Sequence, residues 1–224
     1  MLSKAGIGSR TQARSWIHAG RVKVNGKVVE NPDLWIDFQR DKVLFDDKPL
    51  KVRDRVYLLL HKPAGYITTF HDPEGRNTVY DLIPGLETFV SPVGRLDLET
   101  SGLLILTNDT QLAERLTNPE HKIPKTYLVG CEDELGDEVL ARLREGVELS
   151  DGPTRPARVR RVDETRIEMI ITEGRNRQVR RMIEAVGSKV VELERIAIGP
   201  LRIGGLAVGS WRSLTPSELA QLRE

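Results

Sequence analysis

Short apolar runs alternate with turn residues along most of the chain. Seven runs rich in Val, Ile and Leu predict strands, at residues 56–61, 102–107, 126–130, 158–162, 166–172, 189–195 and 211–214. A 3.6-residue apolar spacing predicts helices at 110–116, about 136–145 and 174–187, and Thr215-Pro216 predicts the start of a short last one. Many strands with few intervening helices favour an α+β fold with a mostly antiparallel, mixed sheet.

The first 50 residues have a different pattern, in which a helix precedes short strands. Ser9 and Gln12 match a capping box, and Gly20 ends the predicted helix of residues 10–19. The dipeptides Asn25-Gly26 and Asp46-Asp47 predict two tight turns between strands. The pattern therefore predicts three parts, a small module (1–50), a charged linker (51–55) and a larger domain (56–224).

The distribution of charge singles out the small module. Residues 1–29 contain no acidic residue and six basic ones, namely Lys4, Arg10, Arg14, Arg21, Lys23 and Lys27. Residues 1–55 carry twelve basic and seven acidic residues, hence +5, so the remainder carries −4 of the chain's net +1. Arg10, Arg14, His18 and Arg21 fall on one helix face if Arg21 continues the helical geometry. Such a row suits successive phosphates of a nucleic acid, and a merely solvated basic surface is the alternative.

Composition excludes several classes of protein. No apolar run approaches the roughly 18 residues of a membrane span, and no signal-peptide pattern precedes the helix, so a cytoplasmic protein without membrane partners is expected. The single cysteine, Cys131, excludes an internal disulfide and a multi-cysteine zinc site. The four histidines lack metal-binding spacing, and dinucleotide or phosphate-loop motifs are absent, so neither a metal nor a cofactor is expected.

The segment PVGRLDLETSGLLILTND, residues 92–109, carries the main candidate for chemistry. Asp97 lies there in a predicted loop that leads into a buried strand, with Gly94 and Arg95 beside it. A carboxylate with an ordinary pKa is ionised at pH 7 and is available as a nucleophile. From the residues alone, an aspartate that caps a turn is the alternative.

The string GRLDLETSGLLILTND resembles the signature of the RsuA/RluB family of ribosomal RNA pseudouridine synthases. Four more segments resemble the same family in the same order, HKPAGYITT (61–69), KTYLV (125–129), GRNRQVRRMIEAVG (174–187) and LERIAIGPLRIGGLAVGSWRSLTPSEL (193–219). The segment AGIGSRTQARSWIHAGRVKVNGKVV resembles the S4 RNA-binding domain. Only five residues precede Gly6, so the first helix of that domain is expected to be short. The resemblance implies an S4-like α/β module followed by a pseudouridine synthase catalytic domain.

The resemblance also implies a reaction, in which the N1–C1′ bond of a uridine breaks and the base is rejoined through C5 without a cofactor. Asp97 is then the nucleophile, and Tyr127 stacks on the base and accepts a proton. Arg180 corresponds to the family's basic residue and is expected to pair with Asp97. The uridine must be flipped out of its stack, and Arg95 is expected to fill the vacated space.

The remaining RNA-binding candidates are Arg10, Arg14, Arg21, Lys23, Lys62, Arg175, Arg177 and Arg181. The last three cluster near a predicted helix N-terminus, where an RNA phosphate would offset their opposition to the helix dipole, and a plain solvated face is the alternative for at least one of them. The motifs favour large-subunit (23S) over small-subunit (16S) rRNA as the substrate of a monomeric enzyme. Free rRNA and a ribosome assembly intermediate both remain open as the form of that substrate.

Two other functions are compatible with parts of this sequence. A non-catalytic RNA-binding protein would need only the S4-like module. A carbohydrate hydrolase would use Asp97 and Glu99 as paired carboxylates. Residues two apart in an extended segment point to opposite sides, which places this pair poorly.

Overall fold

A computed structural model gives the fold of the chain over residues 2–3, 5–37, 40–51 and 53–224. Lys4 of the predicted basic module and Val52 of the predicted linker lie outside the described residues. Among the described residues before Ser9 the backbone forms turns and bends, where the family resemblance implies a short first helix.

The described residues of the small module form one helix and four short antiparallel strands. These are α1 (Arg10–His18), β1 (Val22–Val24), β2 (Lys27–Val28), β3 (Val43–Phe45) and β4 (Lys48–Pro49), with strand order β2-β1-β3-β4. The predicted capping box of Ser9 and Gln12 is present. Asn25 and Gly26 both have positive φ, +50° and +81°, as a two-residue hairpin turn requires. The predicted helix and both turns are therefore confirmed.

The larger part of the chain is built on one mixed sheet. Its strands and the short hairpin beside it are β5 (Tyr57–Lys62), β6 (Ser91–Pro92), β7 (Ser101–Thr107), β8 (Lys125–Cys131), β9 (Glu148–Leu149), β10 (Gly152–Pro153), β11 (Arg158–Arg161), β12 (Arg166–Ile171), β13 (Val190–Ile198), β14 (Leu201–Arg202) and β15 (Trp211–Ser213). The order is β11-β12-β8-β13-β7-β5-β15, with β14 on β13, β6 on β7, and β9 pairing β10 separately. Only β13 and β7 run parallel among these described pairs, so the predicted, mostly antiparallel α+β fold is confirmed.

Four helices cover this sheet, α2 (Thr110–Thr117), α3 (Asp137–Glu145), α4 (Gln178–Ala185) and α5 (Pro216–Arg223), besides single 3-10 turns at Val79–Leu82 and Pro119–His121. Helix α4 begins four residues later than predicted, because Arg177 has φ +48°. A left-handed residue cannot continue a right-handed helix. Residues 174–177 therefore form a turn instead, and this turn borders the site described below.

Strands β5 and β7 are buried on both faces. Leu59 and Leu103 pack toward α2 and α5, whereas Leu58, Leu60 and Leu104 pack toward the opposite layer. Each fully buried leucine contributes about 1.5–3 kcal/mol. This double burial explains why both strands have uninterrupted apolar sequences, and it makes them the rigid centre from which the neighbouring loops extend.

The first residues of the small module contact both the linker and the larger part. Arg53 donates its backbone N–H to the carbonyl of Ala5 at 3.1 Å, and Phe89 donates to that of Gly6 at 2.9 Å. Beyond these contacts, a groove of about 1100 Å³ lies between the two parts. Arg10 and Arg14 line its module side, and Phe70 and Tyr80 line the other.

Candidate active site

Asp97 belongs to a loop, residues 94–100, that leads into β7, and we call this segment the Asp97 loop. Lys62, at the end of β5, holds this loop in place through hydrogen bonds to its backbone. Its ammonium donates to the carbonyl oxygens of Pro63, Asp97 and Thr100 at 3.0, 3.1 and 2.7 Å. Three donors on one lysine thus satisfy three carbonyl groups of the backbone around the loop.

Lys62 is completely buried, with 0% of its surface exposed. Burial lowers the pKa of this lysine to about 8, against a smaller opposing effect of the Asp97 charge. An ammonium without solvent access cannot contact RNA. The prediction that Lys62 binds RNA is therefore wrong, since its apolar surroundings and three carbonyl partners make it a structural support of the Asp97 loop.

The side chain of Asp97 lines a cavity of about 320 Å³. Its carboxylate is half-buried and makes no hydrogen bond or ion pair with any residue that the structure describes. Only its backbone carbonyl is engaged, by Thr100 and Lys62. The carboxylate is thus open to a ligand in the cavity.

Tyr127 lines the same cavity from β8. It is half-buried, and it lies opposite Arg195 of β13 and Met169 of β12 in the sheet register. The sheet therefore brings Tyr127 and Asp97 to one space although thirty positions separate them in the sequence. Both residues line one cavity, which is what the roles implied by the family resemblance require.

Arg180 is not among the residues that line this cavity. It is buried in α4, and its guanidinium donates to the carbonyl of Glu99 at 3.2 Å, while its Nε lies 3.7 Å from the Glu99 carboxylate. The expected pair of Arg180 with Asp97 is replaced by this contact, because Glu99 is the acidic residue of the loop that faces α4. Arg180 thus holds the Asp97 loop from the helix side.

Glu99 also accepts a hydrogen bond from Arg177 at 3.1 Å. Asp97 faces the cavity while Glu99 binds two arginines, so the two carboxylates do not face a common substrate. This arrangement argues against the paired-carboxylate hydrolase.

The basic residues around the cavity differ in how far they are neutralised. Arg95 is exposed at the cavity rim and has no acidic partner among the described residues. Arg175 binds the carbonyls of Gly152 and Pro153, and Arg181 makes a two-point ion pair with Asp151 at 2.7 and 3.1 Å. Arg175 and Arg181 therefore anchor the 174–177 turn and α4 to the β9–β10 hairpin. Of the predicted RNA contacts in this region, Arg95 has no ion pair among the described residues, whereas the exposed Arg177 pairs with Glu99.

In the small module, too, some of the predicted RNA-binding residues are ion-paired and others are exposed. Arg21 makes a two-point ion pair with Asp46 and lies over the Phe45 ring, 4.9 Å from its centroid. Lys23 pairs with Asp47 at 2.5 Å. Arg10 and Arg14 are exposed on α1 beside the groove, and Arg14 has only a 3.4 Å contact with a highly exposed Asp33. Fewer basic side chains of the small module are thus available to RNA than the sequence predicts.

Two further candidate site residues, Arg195 and Lys125, were not predicted from the sequence. Arg195 is only 4% exposed, yet it lines the cavity and donates from Nε to the carbonyl of Leu103 at 2.8 Å. Lys125 is half-buried in the same lining, and its burial and the neighbouring Arg195 lower its pKa. One signal was available, since Arg195 occupies an inward position of β13 between Leu193 and Ala197, where a strand normally carries an apolar residue.

The sequence profile of the RNA pseudouridylate synthase family matches residues 56–185, and that of the S4 domain matches residues 1–34. The first match covers more than half of the chain and contains Asp97, Tyr127 and Arg180. The chain belongs to the RNA pseudouridine synthase family. It is therefore an enzyme of RNA modification, and the purely RNA-binding alternative falls away.

Several RNA pseudouridine synthases are similar over nearly their full length. An uncharacterised RNA pseudouridine synthase of Aquifex aeolicus is 44% identical, over 99% of this chain and 91% of its own. The ribosomal large subunit pseudouridine synthase B of Bacillus subtilis is 39% identical, over 100% and 93%. The ribosomal small subunit pseudouridine synthase A of Yersinia pestis is 36% identical, over 96% and 92%. These relatives are consistent with the RsuA/RluB branch.

A solved structure supports the same assignment. The crystal structure of a pseudouridylate synthase has a TM-score of 0.74 to this chain at 35% identity, covering 99% of this chain and 96% of that one. The S4 module and the pseudouridine synthase fold are thus both present in this family member. In the described part of the chain, none of the helices is long and apolar enough to cross a membrane.

Proposed function

We propose that this pseudouridine synthase converts one uridine of ribosomal RNA into pseudouridine, with Asp97 as the nucleophile. The observation that carries the proposal is the unpaired Asp97 carboxylate beside Tyr127 in one cavity of about 320 Å³. This volume lies in the usual range of ligand sites, about 300–1000 Å³. Five basic and only two acidic side chains line the cavity, which favours a polyanionic substrate.

The chemistry needs no group beyond these side chains. An oxygen of Asp97 bonds to C1′ while the C1′–N1 bond breaks, and the electron pair of that bond leaves with the base. The base turns, C5 bonds to C1′, and Asp97 recovers its carboxylate. A proton finally leaves C5, with Tyr127 as the proposed acceptor, and another binds N1.

RNA contacts are proposed at two places, the rim of the cavity and the groove. A uridine within a stack cannot reach the cavity, so it is flipped out, and the exposed Arg95 takes its place at the rim. Arg10 and Arg14 hold phosphates along the groove. Arg180 contributes indirectly, by holding the Asp97 loop through Glu99.

We further propose that the substrate is 23S rather than 16S rRNA and that a monomer acts on it in the cytoplasm. The identity to a large-subunit enzyme, 39%, exceeds that to a small-subunit enzyme, 36%. Asp97 and Tyr127 come from one chain, so one copy supplies the reacting groups. The division into an S4-like module (1–50), a linker (51–55) and a catalytic domain (56–224) belongs to the same proposal.

The test is to map pseudouridine separately in 23S and 16S rRNA of cells that lack the gene, after adding back single variants. We expect wild-type protein and Glu138→Gln, an exposed substitution on α3, to restore one pseudouridine in 23S rRNA. Asp97→Asn should restore none while still binding rRNA. If Asp97→Asn restored the pseudouridine, Asp97 could not be the nucleophile. If wild type restored a pseudouridine in 16S rRNA instead, the proposed large-subunit substrate would be refuted.

A further inference from the structure

Arg195 carries a donor that the fold does not use. Its Nε binds the carbonyl of Leu103, but Nη2 is buried and has no hydrogen-bond partner among the described residues. A buried charged donor without a partner is unfavourable, and more so than a neutral one, because the group has lost its water without gaining an acceptor. Since Arg195 lines the cavity, a ligand entering that cavity offers the acceptor that the protein lacks.

The sheet places a second cation next to it. Lys125 and Tyr127 are two apart on β8 and therefore face the same side. Arg195 lies directly opposite Tyr127 in the β8–β13 register, so all three side chains share one sheet face toward the cavity. The Lys125 ammonium, like Nη2 of Arg195, has no acidic partner in the described part of the chain. Two unneutralised cations thus meet beside the proposed stacking residue.

We propose that Arg195, assisted by Lys125, binds a carbonyl oxygen of the uracil that leaves C1′ and stabilises its negative charge. This inference rests on the proposed function. When the C1′–N1 bond breaks, its electron pair makes the base an anion whose charge spreads over N1, O2, C5 and O4. The pair is then used by C5 to bond to C1′, so the charge exists only between the two bonds. A preorganised cation acts on such transient charge.

The depth of Arg195 favours the base over an RNA phosphate as its ligand. At 4% exposure Arg195 lies inside the cavity, whereas Arg95 is exposed at the rim. A flipped base enters first and farthest, and the phosphates stay with the backbone outside. Arg195 also lies beyond the segment 56–185 that matches the family profile, so that match does not assign it.

The experiment compares uridine with 5-fluorouridine at the target position of one synthetic rRNA fragment. Fluorine withdraws electrons, so the fluorinated base is the better leaving group and needs less stabilisation. Loss of the N-glycosidic bond is measured in single turnovers at saturating enzyme, for wild type, Arg195→Met, Arg195→Lys and Lys125→Met. Arg160→Gln, an exposed arginine on the edge strand β11, is the matched control. Circular dichroism and thermal melting report whether each variant folds.

We expect Arg195→Met to slow uridine cleavage about 100-fold but fluorouridine cleavage only about 10-fold. Arg195→Lys and Lys125→Met should show the same inequality with smaller losses, which keeps the test decisive if Arg195→Met does not fold. Equal losses for both bases would overturn the proposal and indicate a structural role. A salt-dependent loss of binding with normal single-turnover rates would overturn it in favour of a phosphate contact. If wild type itself leaves uridine unchanged, the proposed function fails instead.

Discussion

Gly102 lies where β7 and β13 run side by side, and its replacement by alanine tests how these strands hold the site. The backbone there has φ +109°, and a Cβ atom would lie 2.3 Å from the carbonyl oxygen of Arg195 and 2.5 Å from its nitrogen. Ordinary contact begins at 3.4 Å, so the strands would have to separate by about 1 Å. The atoms in the way belong to the backbone, which cannot turn aside as a flexible side chain can.

Two effects add up in Gly102→Ala. A side chain at positive φ costs about 1–2 kcal/mol. Overpacking against the neighbouring backbone costs about 1–3 kcal/mol more. We expect a loss of about 2–5 kcal/mol in the free energy of unfolding, and a fall in Tm of about 10 °C for a chain of this size. A shift of 1 Å in β13 would also displace Arg195 and lower the rate of isomerisation about 100-fold.

Urea unfolding and thermal melting measure the stability. Two other glycines separate the cost of a positive φ from the cost of the close approach. Gly204 has φ +61° with open space around its Cβ, and Gly205 has open space without a positive φ. We expect Gly204→Ala to lose about 1 kcal/mol and Gly205→Ala to stay within about 0.5 kcal/mol of wild type. If Gly102→Ala were no less stable than Gly204→Ala and equally active, the close approach of β7 and β13 would be refuted.

Three further variants test other parts of the structure. Arg14→Ala should weaken rRNA binding and reduce its salt dependence by about one phosphate contact, with an unchanged single-turnover rate; a loss of rate at normal affinity would contradict this. Lys62→Met should slow the reaction at least about 10-fold by loosening the Asp97 loop. Because burial lowers the pKa of Lys62 to about 8, the unfolded state binds more protons above that pH. In urea titrations, the free energy of unfolding of wild type should therefore rise relative to that of Lys62→Met as the pH is raised from 8 to 10. A rise as the pH is lowered over this range would contradict a buried ammonium at Lys62. Hydrogen bonds from Arg212 lower the pKa of Glu218 to about 2. Its contribution is then present above the ordinary carboxylate pKa and lost as pH falls through 2. Glu218→Gln should therefore cost about 1 kcal/mol at pH 7 and nothing below pH 2 in the same titrations, and an equal cost at both pH values would contradict the ion pair.

Several helices, turns and strands could be predicted because the interactions that stabilise them join residues close together in the sequence. The capping box of Ser9, the positive-φ turn at Asn25-Gly26 and the apolar run of β7 depend on residues within a few positions of each other. Such patterns reflect hydrogen bonds and burial within one element, and each of these elements is present as predicted. The Asp97 loop could be located for the same reason, since it leads into a recognisable buried strand.

What the sequence by itself determined is therefore most of the longer helices and strands, their order, and the position of Asp97 and Tyr127 among them, whereas the short strands β6, β9, β10 and β14 were not predicted. Only the tertiary structure decided which groups surround Asp97 and Tyr127. Lys62 is buried under a loop more than thirty positions away, Arg180 meets Glu99 rather than Asp97, and Arg195 lies opposite Tyr127 through strand register. These contacts join distant segments, so the charge and burial of each side chain depend on packing that no local pattern records.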